Sequence, residues 1–118
     1  MNTLLVKNIK STFENKFKTE PIMIFSPGRI NLIGEHTDYN DGFVFPAAVD
    51  KGIVAAIGKS DSNVSTAFAV DKKEALEFRL KQIKPLAQGS WQNYILGVVA
   101  EIQNRSKTIG NFNIAFGG

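Results

Sequence analysis

Between Ser26 and Pro46 the chain reads SPGRINLIGEHTDYNDGFVFP, a stretch that holds Arg29, Glu35, His36 and Asp38 among three glycines. Asn, Asp, Gly and Pro supply turn chemistry there, so these side chains are expected on a loop between two apolar runs rather than on a solvated helix. Carboxylates and an imidazole held by a scaffold suit a polyhydroxylated ligand, because sugar hydroxyls need fixed acceptors and fixed donors. A hydrogen bond to a charged group contributes about 1.5–3 kcal/mol, so two or three of them decide which sugar is held. The Arg29 guanidinium adds a planar fork that fits phosphate oxygens.

Elements on either side must position this segment. Leu5, Ile9, Phe13 and Phe17 recur every fourth residue with polar residues between them, which predicts an amphipathic helix over residues 3–18, followed by Pro21. Ile22 to Phe25 is a short apolar run, read as a strand that delivers Ser26-Pro27-Gly28 to the loop. Gly52 to Gly58 is rich in Val, Ile and Ala and suits a buried strand. Val64–Val70 and Leu76–Leu80 read as further strands, the second alternating Leu76, Phe78 and Leu80 with Glu77 and Arg79. Ser90 is placed as an N-cap, and Trp91, Tyr94, Ile95, Val98, Val99 and Ile102 then follow helical spacing to about Arg105. Phe112–Phe116 reads as a last strand, broken at Gly117-Gly118. Helices and strands without regular alternation imply an α+β domain.

Composition narrows the function classes. A chain of 118 residues that is 43% hydrophobic and 21% charged has the make-up of one soluble globular domain. No apolar run reaches the length of a membrane span, and MNTLLVKNIK has no signal-peptide core. Cysteine is absent, which excludes disulfides and thiolate metal sites and agrees with a cytoplasmic location. The net charge of +3 is spread over lysines interleaved with Asp and Glu, so no nucleic-acid footprint is expected. Lookalike motifs fail on spacing. Gly52 to Ser60 resembles a phosphate-binding P-loop but has an apolar, strand-forming spacer one residue too long. Asp38 to Val49 lacks the oxygen ligands of a calcium loop at Gly42 and Val49. With one His and no Cys, a closed metal site built on Glu35, His36 and Asp38 is disfavoured.

The run GRINLIGEHTDYNDG is similar, without a gap, to the signature of the galactokinases, members of the GHMP small-molecule kinases. GSWQNYILG resembles the Trp-x-x-Tyr helix of the same family, so the chain looks like roughly the first third of such a protein. The resemblance implies the GHMP kinase N-terminal domain (ribosomal protein S5 domain 2-like), a mixed sheet packed on helices. It implies phosphoryl transfer from ATP, with Mg²⁺, to the C1 hydroxyl of galactose. Arg29 would then stabilise charge on the transferring group, while Glu35, His36, Thr37 and Asp38 would contact galactose.

For Trp91 and Tyr94, helical spacing alone favours a core role; the resemblance implies contact with adenine. A phosphate loop is expected just past a strand like Phe112–Phe116, with the catalytic base, the Mg²⁺ ligands and the C-terminal portion of the same protein beyond it. The segment alone is therefore expected to be inactive. Two alternatives stay open: a non-catalytic galactose-binding sensor of the same fold, and a GHMP kinase for an N-acetylated galactose.

Overall fold

Asn2 sets the first element. Its Oδ1 accepts hydrogen bonds from the Leu4 and Leu5 N–H groups at 3.0 and 3.2 Å, satisfying two donors that the first turn of a helix leaves without partners. Helix α1 (Thr3–Phe17) follows and ends at Lys18, whose φ of 61° is left-handed and whose N–H bonds the Glu14 carbonyl at 2.9 Å. The structure, a computed structural model, describes residues 2–33, 45–105 and 108–118. The remaining elements are β1 (Ile22–Ile33), β2 (Phe45–Lys59), β3 (Ser65–Ala69), β4 (Glu74–Phe78), α2 (Trp91–Arg105) and β5 (Phe112–Gly117), with a short 3₁₀ turn at Leu80–Gln82.

The strands form one five-stranded sheet in the order β1-β2-β5-β3-β4. Neighbours are antiparallel except β3 and β5, which run parallel. This is a mixed sheet with helices, the α+β architecture that the element pattern implies.

Strand alternation sorts the side chains into two faces. On one face Val54, Ala56 and Ala115 meet Ile9 and Phe13 of α1, and all five side chains are buried. Small residues at Ala56 and Ala115 leave room for Phe13, whose ring also lies 3.1 Å from where a Cβ on Gly58 would stand. On the other face Ala67 and Phe78 pack with Leu96 and Val99 of α2, joined by Phe112 and Ile114. The cross-strand pairs Ala56–Ala115 and Ile57–Ile114 confirm that adjacent residues of β2 and β5 point to opposite helices. Phe78 and Phe112 meet edge to face at 5.8 Å, as do Trp91 and Phe116 at 5.5 Å, the geometry that ring quadrupoles favour.

One buried polar group ties β3 to β5. The Ser65 hydroxyl donates to Asn111 Oδ1 at 2.9 Å and accepts from the Phe112 N–H at 3.1 Å. Ser65 is fully buried, so both bonds offset the cost of removing its hydroxyl from water.

Several boundaries differ from the sequence reading. Strand β1 does not stop at Phe25 but continues through Pro27 and Arg29 to Ile33, and β2 begins at Phe45 rather than Gly52. Pro27 is tolerated because β1 lies at the sheet edge, where a missing N–H costs no inner ladder bond. Leu80 belongs to the 3₁₀ turn, not to β4. At the start of α2 the Ser90 N–H donates to Gln92 Oε1 at 3.0 Å, and the Asn93 amide binds Leu86 N–H and C=O at 2.8 and 3.0 Å.

Candidate functional site

The C-terminal end of β5 organises the candidate site. Gly117 pairs with Val54, and Val54 in turn with Phe25, so β5 ends level with Phe25. Beyond that level, among the described residues, only strands β1 and β2 continue, as a two-stranded ribbon. Arg29 sits on this ribbon, just past the end of β5, rather than on the loop that its Pro-Gly prelude predicts.

An irregularity in the pairing sets its position. Pro27 pairs with Gly52, but the next pair is Arg29 with Ala48, so Gly28 alone faces Val49, Asp50 and Lys51. Extra residues on one strand bend the ribbon and re-aim the side chains that follow. The bend requires close backbone approach. A Cβ on Gly52 would collide with Ser26 O and stand 2.7 Å from Pro27 Cα, and one on Gly28 would stand 3.0 Å from Lys51 O. Arg29 itself is exposed, and no ion pair joins it to another described residue. A guanidinium presented beside strand ends can meet an incoming anion without first breaking an internal bridge.

Ile33 and Phe45 pair across the ribbon. Glu35, His36, Thr37 and Asp38, the expected sugar contacts, fall between them and lie outside the described residues.

Trp91 and Tyr94 take different environments. Trp91 opens α2 and is half-buried against Phe116, one residue before the end of β5. Its indole Nε1 is buried and has no hydrogen-bond partner among the described residues, an unmet donor of the kind that a ligand acceptor or a water satisfies. Tyr94 is 81% exposed on the outer side of the helix. Trp91 thus lies at the same end of the sheet as Arg29, whereas Tyr94 stands clear of the core.

Asp71 is a residue that the sequence reading missed. The β3–β4 turn carries the Ala69 and Val70 carbonyls to the Lys72 and Lys73 N–H groups, with Lys73 at a φ of 55°. This turn places the Asp71 carboxylate beside β5, where its Oδ2 accepts the Gly118 N–H at 2.9 Å. The Val70 N–H bonds the Phe116 carbonyl at 2.9 Å and extends the parallel pairing up to that point. In the sequence Asp71 is one charge among Lys72, Lys73 and Glu74; only the pairing of β3 with β5 singles it out.

The C-terminal ends of two parallel strands, an exposed arginine and a helix N-terminus with a spare donor therefore share one end of the molecule. Open sheets bind ligands outside the carboxyl ends of their parallel strands, and helix N-termini favour anions. Among the described residues no group of three or more His, Cys, Asp or Glu side chains is gathered to hold a metal ion, and no helix is long and apolar enough to cross a membrane.

Known proteins with this segment are consistent in kind. Residues 11–59 match the galactokinase galactose-binding signature. A galactokinase from Haemophilus influenzae (strain PittGG) is 42% identical over 101 residues, covering 85% of this chain and 26% of the relative. One from Glaesserella parasuis serovar 5 is 45% identical over 82 residues, covering 70% and 21%. Among solved structures, Lactococcus lactis galactokinase complexed with galactose superposes with a TM-score of 0.84 at 31% identity, covering 95% of this chain and 30% of that one. Methanococcus jannaschii mevalonate kinase, at a TM-score of 0.65 and 18% identity, shares the fold. The chain spans about a quarter of the length of the curated relatives it matches.

Proposed function

Because the chain belongs to the galactokinase family of GHMP kinases and corresponds to the N-terminal part of its members, we propose that the complete protein transfers the γ-phosphoryl group of ATP to the C1 hydroxyl of galactose. The observation that carries this reading is the register of β1. It sets Arg29, inside the matched signature, just beyond the C-terminal ends of β3 and β5. In this reading Glu35, His36, Thr37 and Asp38 hold the sugar by its hydroxyls, so that the C1 oxygen faces the nucleotide.

Phosphoryl transfer depends chiefly on positioning and on stabilising charge that spreads over the moving group. Arg29 supplies a permanent cation for that charge. The ATP phosphates lie along a loop that follows β5, and the base ring lies near the start of α2, where the unpaired Trp91 indole N–H offers a donor. Tyr94, exposed on the same helix, would meet the nucleotide from the outer side. Mg²⁺ accompanies the nucleotide and neutralises phosphate charge; its ligands, like the catalytic base, belong to the portion beyond this segment.

The test uses the protein translated past Gly118 from its own coding sequence. Galactose-dependent release of ADP is expected, with galactose 1-phosphate as product. Arg29→Ala is expected to lower kcat by about 10³-fold or more while the KM for galactose stays within a few-fold. Galactose binding without ADP release would replace the kinase by a sugar sensor, and phosphorylation of N-acetylgalactosamine alone would change the substrate. Residues 1–118 alone are expected to form no galactose 1-phosphate.

A further inference from the structure

At the end of the sheet opposite Arg29, a cavity of about 820 Å³ lies where β3 and β5 begin, since Asn63 and Asn111, which precede those strands, both line it. The 3₁₀ turn at Leu80–Gln82 and Gln103 of α2 form other walls. Strand β5 has six residues, and at about 3.3 Å per residue the cavity stands about 20 Å from the level of Arg29.

Its charged walls are of one sign. Arg79 and Lys81 line it and no Asp or Glu does. Glu77 and Asp61, the acids nearest along the chain to Arg79 and Asn63, stand outside it. Both cations are exposed, and no ion pair joins either to another described residue.

The groups around them are held in place. The Gln82 N–H bonds the Arg79 carbonyl at 3.0 Å, and Gln103 Nε2 donates to the Leu80 carbonyl at 2.7 Å, which fastens the turn to α2. Asn111 is fixed twice: its carbonyl accepts the Ser60 N–H at 3.0 Å, and its Oδ1 accepts the buried Ser65 hydroxyl at 2.9 Å. With that amide oxygen engaged, the amide nitrogen keeps two N–H donors that bond no other described residue.

We propose that this cavity binds a small phosphate monoester, at a site separate from the one that Arg29 serves. Such a group carries a charge of about −1.5 to −2 at pH 7, which two cations match. Arg79 offers a planar fork to phosphate oxygens and Lys81 a point charge, and the Asn111 amide adds neutral donors. No carboxylate among the walls repels the anion. The volume exceeds what a bare phosphate fills and falls within the roughly 300–1,000 Å³ of small-molecule sites, so the ester carries a body of sugar size. Leu80 and Ile109 give that body apolar contact, and the neutral Asn63 side chain meets its hydroxyls. Every side chain named lies outside the segment matched by the galactose-binding signature, so the site is independent of the kinase reading.

Isothermal titration calorimetry with glucose 6-phosphate, inorganic phosphate and glucose tests the site, in the protein translated from its own coding sequence. Glucose 6-phosphate is expected to bind with a Kd of about 1 mM or tighter, inorganic phosphate at least about tenfold more weakly, and glucose not at all. Arg79→Gln combined with Lys81→Gln is expected to weaken glucose 6-phosphate at least about tenfold, whereas Arg29→Ala leaves its Kd within about twofold. Because both replaced side chains are exposed, the melting temperature should stay within about 2 °C of the parent. Lys81→Glu, a single exposed change, should weaken binding by a similar factor and serves if the double variant unfolds.

Glucose 6-phosphate binding that survives these substitutions, or that Arg29→Ala removes, would overturn the proposal. So would an absence of heat with glucose 6-phosphate, or equal affinity for inorganic phosphate. None of these titrations measures turnover, so failure of the kinase reading and failure of this site are separable.

Discussion

Replacing Gly52 by alanine tests whether the ribbon that carries Arg29 is held by close backbone contact. The added Cβ would overlap Ser26 O and stand 2.7 Å from Pro27 Cα and 2.9 Å from the Ser26 carbonyl carbon. All three are backbone atoms, so no side chain can swing aside. Carbon atoms in contact sit about 3.5–4.0 Å apart, and β1 must therefore move from β2 by about 1 Å. Overpacking of this kind costs about 1–3 kcal/mol. Weakening one or two neighbouring ladder bonds adds about 1 kcal/mol each, for a total near 3–4 kcal/mol.

At about 4 °C per kcal/mol for a domain of this size, the melting temperature of residues 1–118 is expected to fall by about 12–16 °C. Circular dichroism during heating measures it. Gly97→Ala is the internal control, because its Cβ would meet nothing within 4 Å and it lies inside α2; it should stabilise by up to about 1 kcal/mol. If Gly52→Ala melts within 3 °C of the parent, the strands are not in the contact described and the account of the ribbon is wrong.

Other substitutions give smaller, signed effects. Ser65→Ala strands the Asn111 carbonyl and the Phe112 N–H at a buried position, and urea titration is expected to show a loss of about 1–3 kcal/mol. Lys18→Gly relieves a left-handed backbone at the end of α1 and should raise stability by about 0.5–1 kcal/mol on the same scale. Glu101→Gln removes an ion pair of 3.7 Å whose side chains are 84% and 68% exposed; a change above about 0.5 kcal/mol would contradict its assignment as a surface contact.

Both helices were legible because apolar residues repeat at helical spacing, Ile9 and Phe13 in α1 and Trp91, Ile95 and Val99 in α2, but the expected stripe of α2 was misplaced in part: Tyr94, Val98 and Ile102 stand exposed while Leu96, outside that stripe, is buried. The last strand was legible for a similar reason, since Phe112 to Phe116 is bounded by Gly110-Asn111 and Gly117-Gly118. The ribbon was not. Pro27 and Gly28 read locally as a turn, and only the partner strand, with Gly52 allowing close approach and Val49 to Lys51 bulging opposite Gly28, makes them extended. That information sits more than twenty residues away and leaves no local trace. Arg29 was picked out by its motif, yet its place on a strand and the carboxylate of Asp71 beside Gly118 depend on which strands pair. Trp91 shows a different limit: helical periodicity pointed to the core, and its ring does pack on Phe116, while the unmet indole donor is visible only in three dimensions.

The position of β5 bears on the order in which the chain acquires its shape. It comes last in sequence among the five strands described but is central in the sheet, between β2 and β3. Until Phe112–Gly117 has been synthesised, β1 with β2 and β3 with β4 are two separate antiparallel pairs, each with an open inner edge. Pairing of this range is slow because a long stretch of chain must be ordered before it is rewarded. During that interval the inner edges of β2 and β3 offer unpaired N–H and C=O groups to any other extended chain. Nascent chains that stop short of Phe112 are thus the species most exposed to aggregation, and insertion of β5 is the event that ends their vulnerability.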